Sequence, residues 1–144
     1  MPGDRPGLPR PHARGYVEVD GRLVDATLMN PSLDWAAGEM TSTADDLSRF
    51  LDALLGGRPT SPAALAAMRT TRPTGSLFAY GLGLQRFDLP CGRSAWGHGG
   101  ELVGYLIYAL RDDDGERAVL SYDPLPGGVP GESLATLFST VYCP

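Results

Sequence analysis

The chain has 144 residues, enough for one domain with a hydrophobic core, and its 42% hydrophobic and 20% charged content is ordinary for a globular protein. The formal net charge of −5 argues against nucleic acid or an anionic membrane surface as a partner. No apolar run reaches the ~20 residues that a membrane helix needs. All 12 basic residues are arginine, which excludes a phosphate-binding loop that depends on lysine.

The N-terminal part of the chain has little helical or strand pattern. Residues 1–15 contain four prolines and three glycines without an apolar run, which predicts a disordered or irregular segment. A signal peptide would need an apolar core of about 7–15 residues, and the segment contains none. From Tyr16 to Val24, apolar and polar residues alternate around Asp20-Gly21, which predicts a short β-hairpin.

Two helices are predicted next. Ser42 or Thr43 can cap the first one, and apolar residues then recur at three- and four-residue spacing. The predicted apolar stripe consists of Leu47, Phe50, Leu51, Leu54 and Leu55. Gly56-Gly57 would end this helix, and Ser61-Pro62 would begin a second one that runs to Arg69. Residues 70–77 are predicted to form a loop.

The rest of the pattern predicts an antiparallel meander of three or four strands followed by a helix. The predicted elements are strands at Tyr80 to about Phe87, Ser94–Gly97, Val103–Leu110 and Ala118–Tyr122, and a helix at Glu132–Tyr142. The aspartates of Asp112-Asp113-Asp114 are predicted to form a solvated hairpin tip, since a calcium loop needs further spaced ligands. The amphipathic helix would lie on the sheet, which gives an α+β fold class.

A stretch rich in glycine surrounds a lone histidine between two of these strands. The stretch Trp96–Tyr105 contains His98 and four glycines. Glycine inside a strand usually marks a bulge or a place where another group approaches the backbone closely, so His98 could contact a ligand. The alternative is a hairpin turn with an incidental histidine.

The residues of this stretch resemble a known motif. His98-x-Gly100, followed by Gly104-Tyr105, is similar to the third active-site motif of secreted serine D-alanyl-D-alanine carboxypeptidases, which share the penicillin-recognising fold with class C β-lactamases. The segments 37–40 (Ala-Gly-Glu-Met) and 80–83 (Tyr-Gly-Leu-Gly) also match family patterns. The resemblance implies that residues 16–144 form the C-terminal part of a β-lactamase/transpeptidase-like fold, with a C-terminal helix on an antiparallel sheet and two further helices.

The resemblance implies three catalytic motifs, of which this sequence contains one. The nucleophile motif Ser-x-x-Lys is excluded because the chain has no lysine. The second motif, Tyr-x-Asn or Ser-x-Asn, is also missing, since Asn30 is the only asparagine and Leu28 stands two residues before it. We therefore expect the chain alone not to turn over a substrate.

The resemblance assigns roles to the third motif. His98 would orient the substrate, Gly99 stands where relatives usually have a threonine that contacts the substrate carboxylate, and Gly100 would let the backbone approach the acyl group. The Glu101 amide would be one of two oxyanion donors, but its side chain is less favourable to an anionic C-terminus than a hydroxyl.

The resemblance also implies an arginine that binds the terminal carboxylate and a disulfide. Arg86 and Arg93 are candidates for the arginine by proximity, and the alternative is that both are solvated surface residues. From the residues alone, Cys91 and Cys143 could be reduced or paired. The resemblance favours a disulfide between them, which would stabilise the fold by roughly 3–4 kcal/mol.

These observations lead to several expectations about function. The full enzyme would cleave a peptidoglycan stem peptide through an acyl-serine, and a β-lactam or such a peptide would bind once the site is complete. Alternatives are a non-catalytic binding module, half of a split enzyme completed by a separate N-terminal half, or a truncated reading frame without a function. No cofactor is expected, and a metal is not expected because zinc-type motifs are absent. The family is extracytoplasmic, whereas this chain shows no signal peptide.

Overall fold

A computed structural model of the chain describes residues 6–123 and 128–143. Its helices there are α1 (Ala44–Leu55), α2 (Pro62–Arg69) and α3 (Gly131–Tyr142). Its strands there are β1 (Tyr16–Val19), β2 (Arg22–Asp25), β3 (Arg72–Pro73), β4 (Ala79–Tyr80), β5 (Gln85–Asp88), β6 (Ser94–Leu102), β7 (Tyr105–Asp112) and β8 (Arg117–Tyr122). None of the helices described is long and apolar enough to cross a membrane.

The strands of the described residues form a hairpin and a larger sheet. Strands β1 and β2 pair with each other, and the other six form one antiparallel sheet in the order β3-β4-β5-β6-β7-β8. The predicted fold class, an α+β domain with an antiparallel sheet, a C-terminal helix and two further helices, is confirmed. The sheet has more strands than the three or four predicted, because β3 and β4 have two residues each and are too short to give a periodic signal.

The predicted continuous strand from Tyr80 to Phe87 is wrong. The chain turns between β4 and β5, and the Gly81 N–H donates to the carbonyl of Leu84 at 2.8 Å. Gly83 has a φ of +73°, a conformation that glycine adopts without the steric penalty of a side chain. Two short strands replace one long strand, and this turn brings β4 alongside β5.

The predicted helix starts are confirmed. The Thr43 hydroxyl accepts a hydrogen bond from the Asp46 N–H at 3.1 Å, and the Ser61 hydroxyl accepts one from the Ala64 N–H at 3.2 Å. Most of the predicted stripe of α1 faces inward, but Phe50 is 55% exposed.

Helices cover both faces of the large sheet. Neighbouring residues of a strand project from opposite faces, so Ala95 and Trp96 mark the two sides of β6. Ala95 lies in a buried cluster with Leu134 and Phe138 of α3. Trp96 lies in a second cluster with Leu54 of α1. The sheet is therefore the middle layer, with α3 on one face and α1 on the other.

The C-terminal end of α3 is fastened to the turn before β6. Cys91 and Cys143 form the disulfide that the resemblance implied. Arg93 donates from Nη1 to the Tyr142 carbonyl at 2.7 Å and from Nη2 to the Asp112 carboxylate. Asp112 is 1% exposed, so its predicted place in a solvated hairpin tip is wrong, because its carboxylate pairs with Arg93 and accepts the Glu116 N–H.

We predict that the double variant Cys91→Ser, Cys143→Ser is less stable than the wild type by roughly 3–4 kcal/mol. The bond closes a loop with a sequence separation of 52, so its removal increases the entropy of the unfolded chain. Urea denaturation of the oxidised wild type, the reduced wild type and the variant measures this loss. Coincident midpoints for all three proteins would contradict it.

Stability should fall above about pH 10 because Tyr142 must stay neutral in the folded chain. Burial raises the pKa of Tyr142 well above its ordinary value, and its hydroxyl donates to the Leu110 carbonyl at 3.0 Å. The unfolded chain loses this proton near the ordinary tyrosine pKa of ~10, while the folded chain keeps it. Tyr142→Phe should reduce the pH dependence of the unfolding free energy above pH 10 by up to about 1.4 kcal/mol per pH unit.

The control for this measurement is Tyr105→Phe, which alters a tyrosine that is only half-buried. Denaturant curves between pH 8 and pH 11 give both slopes. The expectation fails if Tyr142→Phe and the wild type lose stability in parallel.

Candidate active-site wall

Strand β6 is paired on both sides over its first half and on one side over its second half. Its pairing with β5 ends where Gln85 stands opposite Gly97, whereas its pairing with β7 continues to Leu102. From His98 onward, no strand of the described residues lies on the β5 side. The glycine-rich part of the stretch is therefore a sheet edge, where an extended ligand could pair with the backbone.

A side chain takes the place of the missing strand partner at Gly99. The Gly99 N–H donates to Gln85 Oε1 at 2.8 Å, and Gln85 is 6% exposed. Successive amides of a strand point alternately to its two sides, so the Glu101 N–H points to the same open side as that of Gly99. This amide is the one that the resemblance assigns to the oxyanion hole.

His98 is held by two contacts that define its tautomer. Its Nδ1 hydrogen-bonds to the Gly99 carbonyl, which can only accept, so Nδ1 carries a proton. Its Nε2 lies 2.7 Å from the Tyr80 hydroxyl, and the two rings are nearly perpendicular at 5.5 Å between centroids. In the neutral ring Nε2 is therefore the acceptor and Tyr80 the donor. The sequence showed no link between these residues, although both lie in family-like motifs.

A shallow open groove lies beside this edge. Its volume is about 180 Å³, and it is lined by Gln85, Gly99, Gly100, Glu101, Leu106 and Tyr108. Three of the four residues assigned to the third motif thus share one surface. Gln85, Leu106 and Tyr108 were not predicted, because their place follows from strand register and not from a local pattern.

The ring of Tyr108 lies close to the backbone of Gly99. A Cβ at Gly99 would lie 2.6 Å from the Tyr108 ring, which stands opposite it in β7. A threonine at this position, as in most relatives, would have to displace the ring. In this structure the Tyr108 ring therefore occupies space that a threonine side chain at position 99 would take.

The groove carries negative charge. The Glu101 side chain is exposed, and its carboxylate contributes to the raised pKa values of two tyrosines. Burial raises the pKa of Tyr108 most, and Glu101 adds to this. Burial also raises the pKa of Tyr122, with smaller contributions from Tyr108 and Glu101.

The two arginines considered for carboxylate binding make other contacts. Arg93 donates to the Tyr142 carbonyl and to the carboxylates of Asp112 and Asp114. Arg86 pairs with Asp88 at 2.9 Å, and its guanidinium lies 5.9 Å from the centre of the Trp96 ring. Neither residue lines the groove. Carboxylate binding by either arginine stays a prediction, and these contacts do not favour it.

Comparisons with known proteins found a matching family model and several similar solved structures. The family model described as Beta-lactamase matches residues 2–127. A D-stereospecific amidohydrolase from Streptomyces sp. is 33% identical, with a TM-score of 0.84 over 99% of this chain. The chain spans 42% of the length of that protein.

The structure also resembles a second group of solved structures. D-amino acid amidase from Ochrobactrum anthropi SV3, complexed with L-phenylalanine amide, is 33% identical with a TM-score of 0.64. The match covers 77% of this chain and 34% of the amidase. The same amidase complexed with D-phenylalanine gives a TM-score of 0.63 at 31% identity, over 77% of this chain and 36% of the amidase.

We predict that Tyr80→Phe changes the tautomer of His98. Loss of a hydrogen bond worth ~0.5–1.5 kcal/mol should move the ratio of Nδ1–H to Nε2–H forms several-fold toward Nε2–H. Nitrogen-15 NMR of the imidazole measures this ratio, and a His12→Gln background leaves one histidine to observe, because the chain has two.

Tyr105→Phe is the matched control for this experiment. Its hydroxyl donates to the Ala13 carbonyl at 3.1 Å and not to His98. An unchanged His98 tautomer in Tyr80→Phe would rule out this assignment.

Proposed function

Because the chain belongs to the beta-lactamase family, we propose that it supplies one wall of a serine hydrolase site that cleaves an amide bond at a D-configured residue. The observation that carries the proposal is the unpaired edge of β6, where the Glu101 amide faces the open side next to His98. An extended acyl group lying along this edge would place its carbonyl oxygen near that amide. Preorganised backbone donors of this kind stabilise the oxyanion of acyl transfer.

The chain contributes part of the chemistry. The resemblance implies that a serine attacks the acyl carbon while the adjacent lysine helps to move the proton. Since the sequence contains no lysine, that motif must come from outside these 144 residues. We therefore propose that the chain alone is inactive and that the part of the fold carrying Ser-x-x-Lys completes the site, within a longer chain or as a separate N-terminal half.

Exposed apolar side chains support the need for such a partner. Leu28, Leu33, Trp35 and Met40 are 76%, 71%, 65% and 84% exposed within a short segment before α1. Large apolar side chains grouped on a surface usually mark an interface. The segment leads directly into α1, which packs on the sheet that carries the groove. We propose that the other part of the domain covers it.

Amide hydrolysis of a D-amino acid derivative is the leading candidate. The names of the similar structures, a D-stereospecific amidohydrolase and a D-amino acid amidase, support this class. Hydrolysis of such an amide does not require a cation that binds a terminal carboxylate, which agrees with a groove lining that contains no arginine.

A D-alanyl-D-alanine carboxypeptidase is the second candidate, and the histidine that begins the third motif favours it. A peptidoglycan stem peptide or a β-lactam would then be the ligand. This reaction needs recognition of a free C-terminal carboxylate, for which the groove offers a glycine at 99 and a glutamate at 101. A non-catalytic module that binds such a peptide remains the alternative from another class.

The proposal predicts acylation only in the completed site. The isolated chain should form no covalent adduct with a fluorescent penicillin or a fluorophosphonate, as judged by gel fluorescence and intact mass. Mixing it with the part of the Streptomyces amidohydrolase that this chain does not match should produce labelling and the hydrolysis of D-phenylalanine amide, if that part supplies the serine. Replacing that part's serine with alanine should abolish both.

The outcomes separate the candidates. An adduct on the isolated chain would disprove its inactivity. Absence of labelling in the completed mixture, when the two parts are shown to associate, would overturn the proposed function. Cleavage of a peptide ending in D-Ala-D-Ala in preference to D-phenylalanine amide would favour the carboxypeptidase.

A further inference from the structure

Glu101 places a charge at the position where the acyl group would be held. Its backbone amide lies on the open edge of β6. Tyr108 stands opposite Gly99, and Gly99 and Glu101 are two residues apart on one strand. The side chains of Glu101 and Tyr108 therefore project from the same face of the sheet. The carboxylate lies near enough to Tyr108 and Tyr122 to act on both phenols. A ligand bound along the edge would therefore meet both the donor and the charge.

Nothing in the groove lining compensates this charge. Of its six residues, Glu101 alone is charged. Arg93 donates to the Tyr142 carbonyl and to Asp112, Arg86 pairs with Asp88, and neither arginine lines the groove. The net charge of the chain, −5, adds to the negative potential.

We propose that Glu101 is a specificity-determining residue that selects ligands ending in a neutral amide, or carrying an ammonium group next to that amide, and rejects ligands that end in a carboxylate. The inference rests on the proposed function, because it concerns the substrate class of the same groove. Glu101 then has two separate functions. Its backbone amide stabilises the oxyanion, and its side chain discriminates between ligands by their charge.

The expected effect follows from the repulsion of two like charges. Near a solvated surface, charges about 4 Å apart change an equilibrium by about fivefold or more. Salt should weaken the effect, because the Debye length falls from ~10 Å at 0.1 M to ~3 Å at 1 M ionic strength.

The test compares two probes that differ only in the terminal group. The full chain is titrated with N-acetyl-D-phenylalanine amide and with N-acetyl-D-phenylalanine, and NMR follows the amides of Gly99, Gly100 and Glu101. The wild type should bind the amide at least about fivefold more tightly than the carboxylate. D-phenylalanine amide, which adds an ammonium group, should bind more tightly than its acetylated form.

Two variants isolate the side chain. Glu101→Gln keeps the shape and the backbone amide but removes the charge, so the preference for the amide over the carboxylate should fall toward one. Glu18→Gln removes the same charge from the exposed β1 hairpin and should leave the preference unchanged. High salt should reduce the wild-type preference in the same direction as Glu101→Gln.

Three results would overturn the inference: equal preference in wild type and Glu101→Gln, tighter binding of the carboxylate probe by the wild type, or no shift of the groove amides with any probe. Failure of the proposed function looks different. In that case the completed mixture shows no acylation, whereas the preference of the isolated chain still depends on Glu101. Successful acylation with an unchanged preference would remove the inference alone.

Discussion

The change in pairing along β6 is the constraint on which the site depends. Up to Gly97 the strand is held on both sides, and from His98 onward only β7 holds it. An exposed strand edge is normally a liability, because its unpaired amides and carbonyls can pair with another chain. Here the edge is short, and the buried amide group of Gln85 pairs with its first exposed N–H. The next N–H on that side, that of Glu101, has no partner in β5, and it is the amide that we propose binds the acyl oxygen.

The edge can serve a binding function only if β6 is held firmly at its start. Arg93, directly before the strand, donates to the end of α3 and to the buried Asp112. The disulfide joins the same two segments. Moving Arg93 toward a ligand would leave the buried Asp112 carboxylate without its charged partner, so Arg93 is poorly placed to bind a ligand carboxylate as well. Its position near the motif in sequence reflects this structural role.

Local signals predicted the elements that depend on local chemistry. Helix caps such as Thr43 and Ser61 were sufficient to predict the helix starts, but β6 was predicted only as Ser94–Gly97, whereas it runs to Leu102 because its glycines weaken the strand pattern. Contacts between strands could not be predicted, because a register shift of one residue reverses the face of every side chain. This is why the links of Gln85 to Gly99 and of Tyr80 to His98, and the burial of Asp112, emerged only with the structure.

Three departures from the family pattern alter the same property of the groove. Glycine at 99 removes a hydroxyl that would bind a carboxylate, and Tyr108 fills the space that the threonine would need. The nearby arginines are held in other contacts, and Glu101 adds a negative charge. Together they remove a hydrogen-bond donor, withhold a cation and add an anion, and all three changes weaken recognition of a carboxylate. A neutral or cationic terminal group avoids all three penalties, which is the physical reason for placing amide hydrolysis before carboxypeptidase activity.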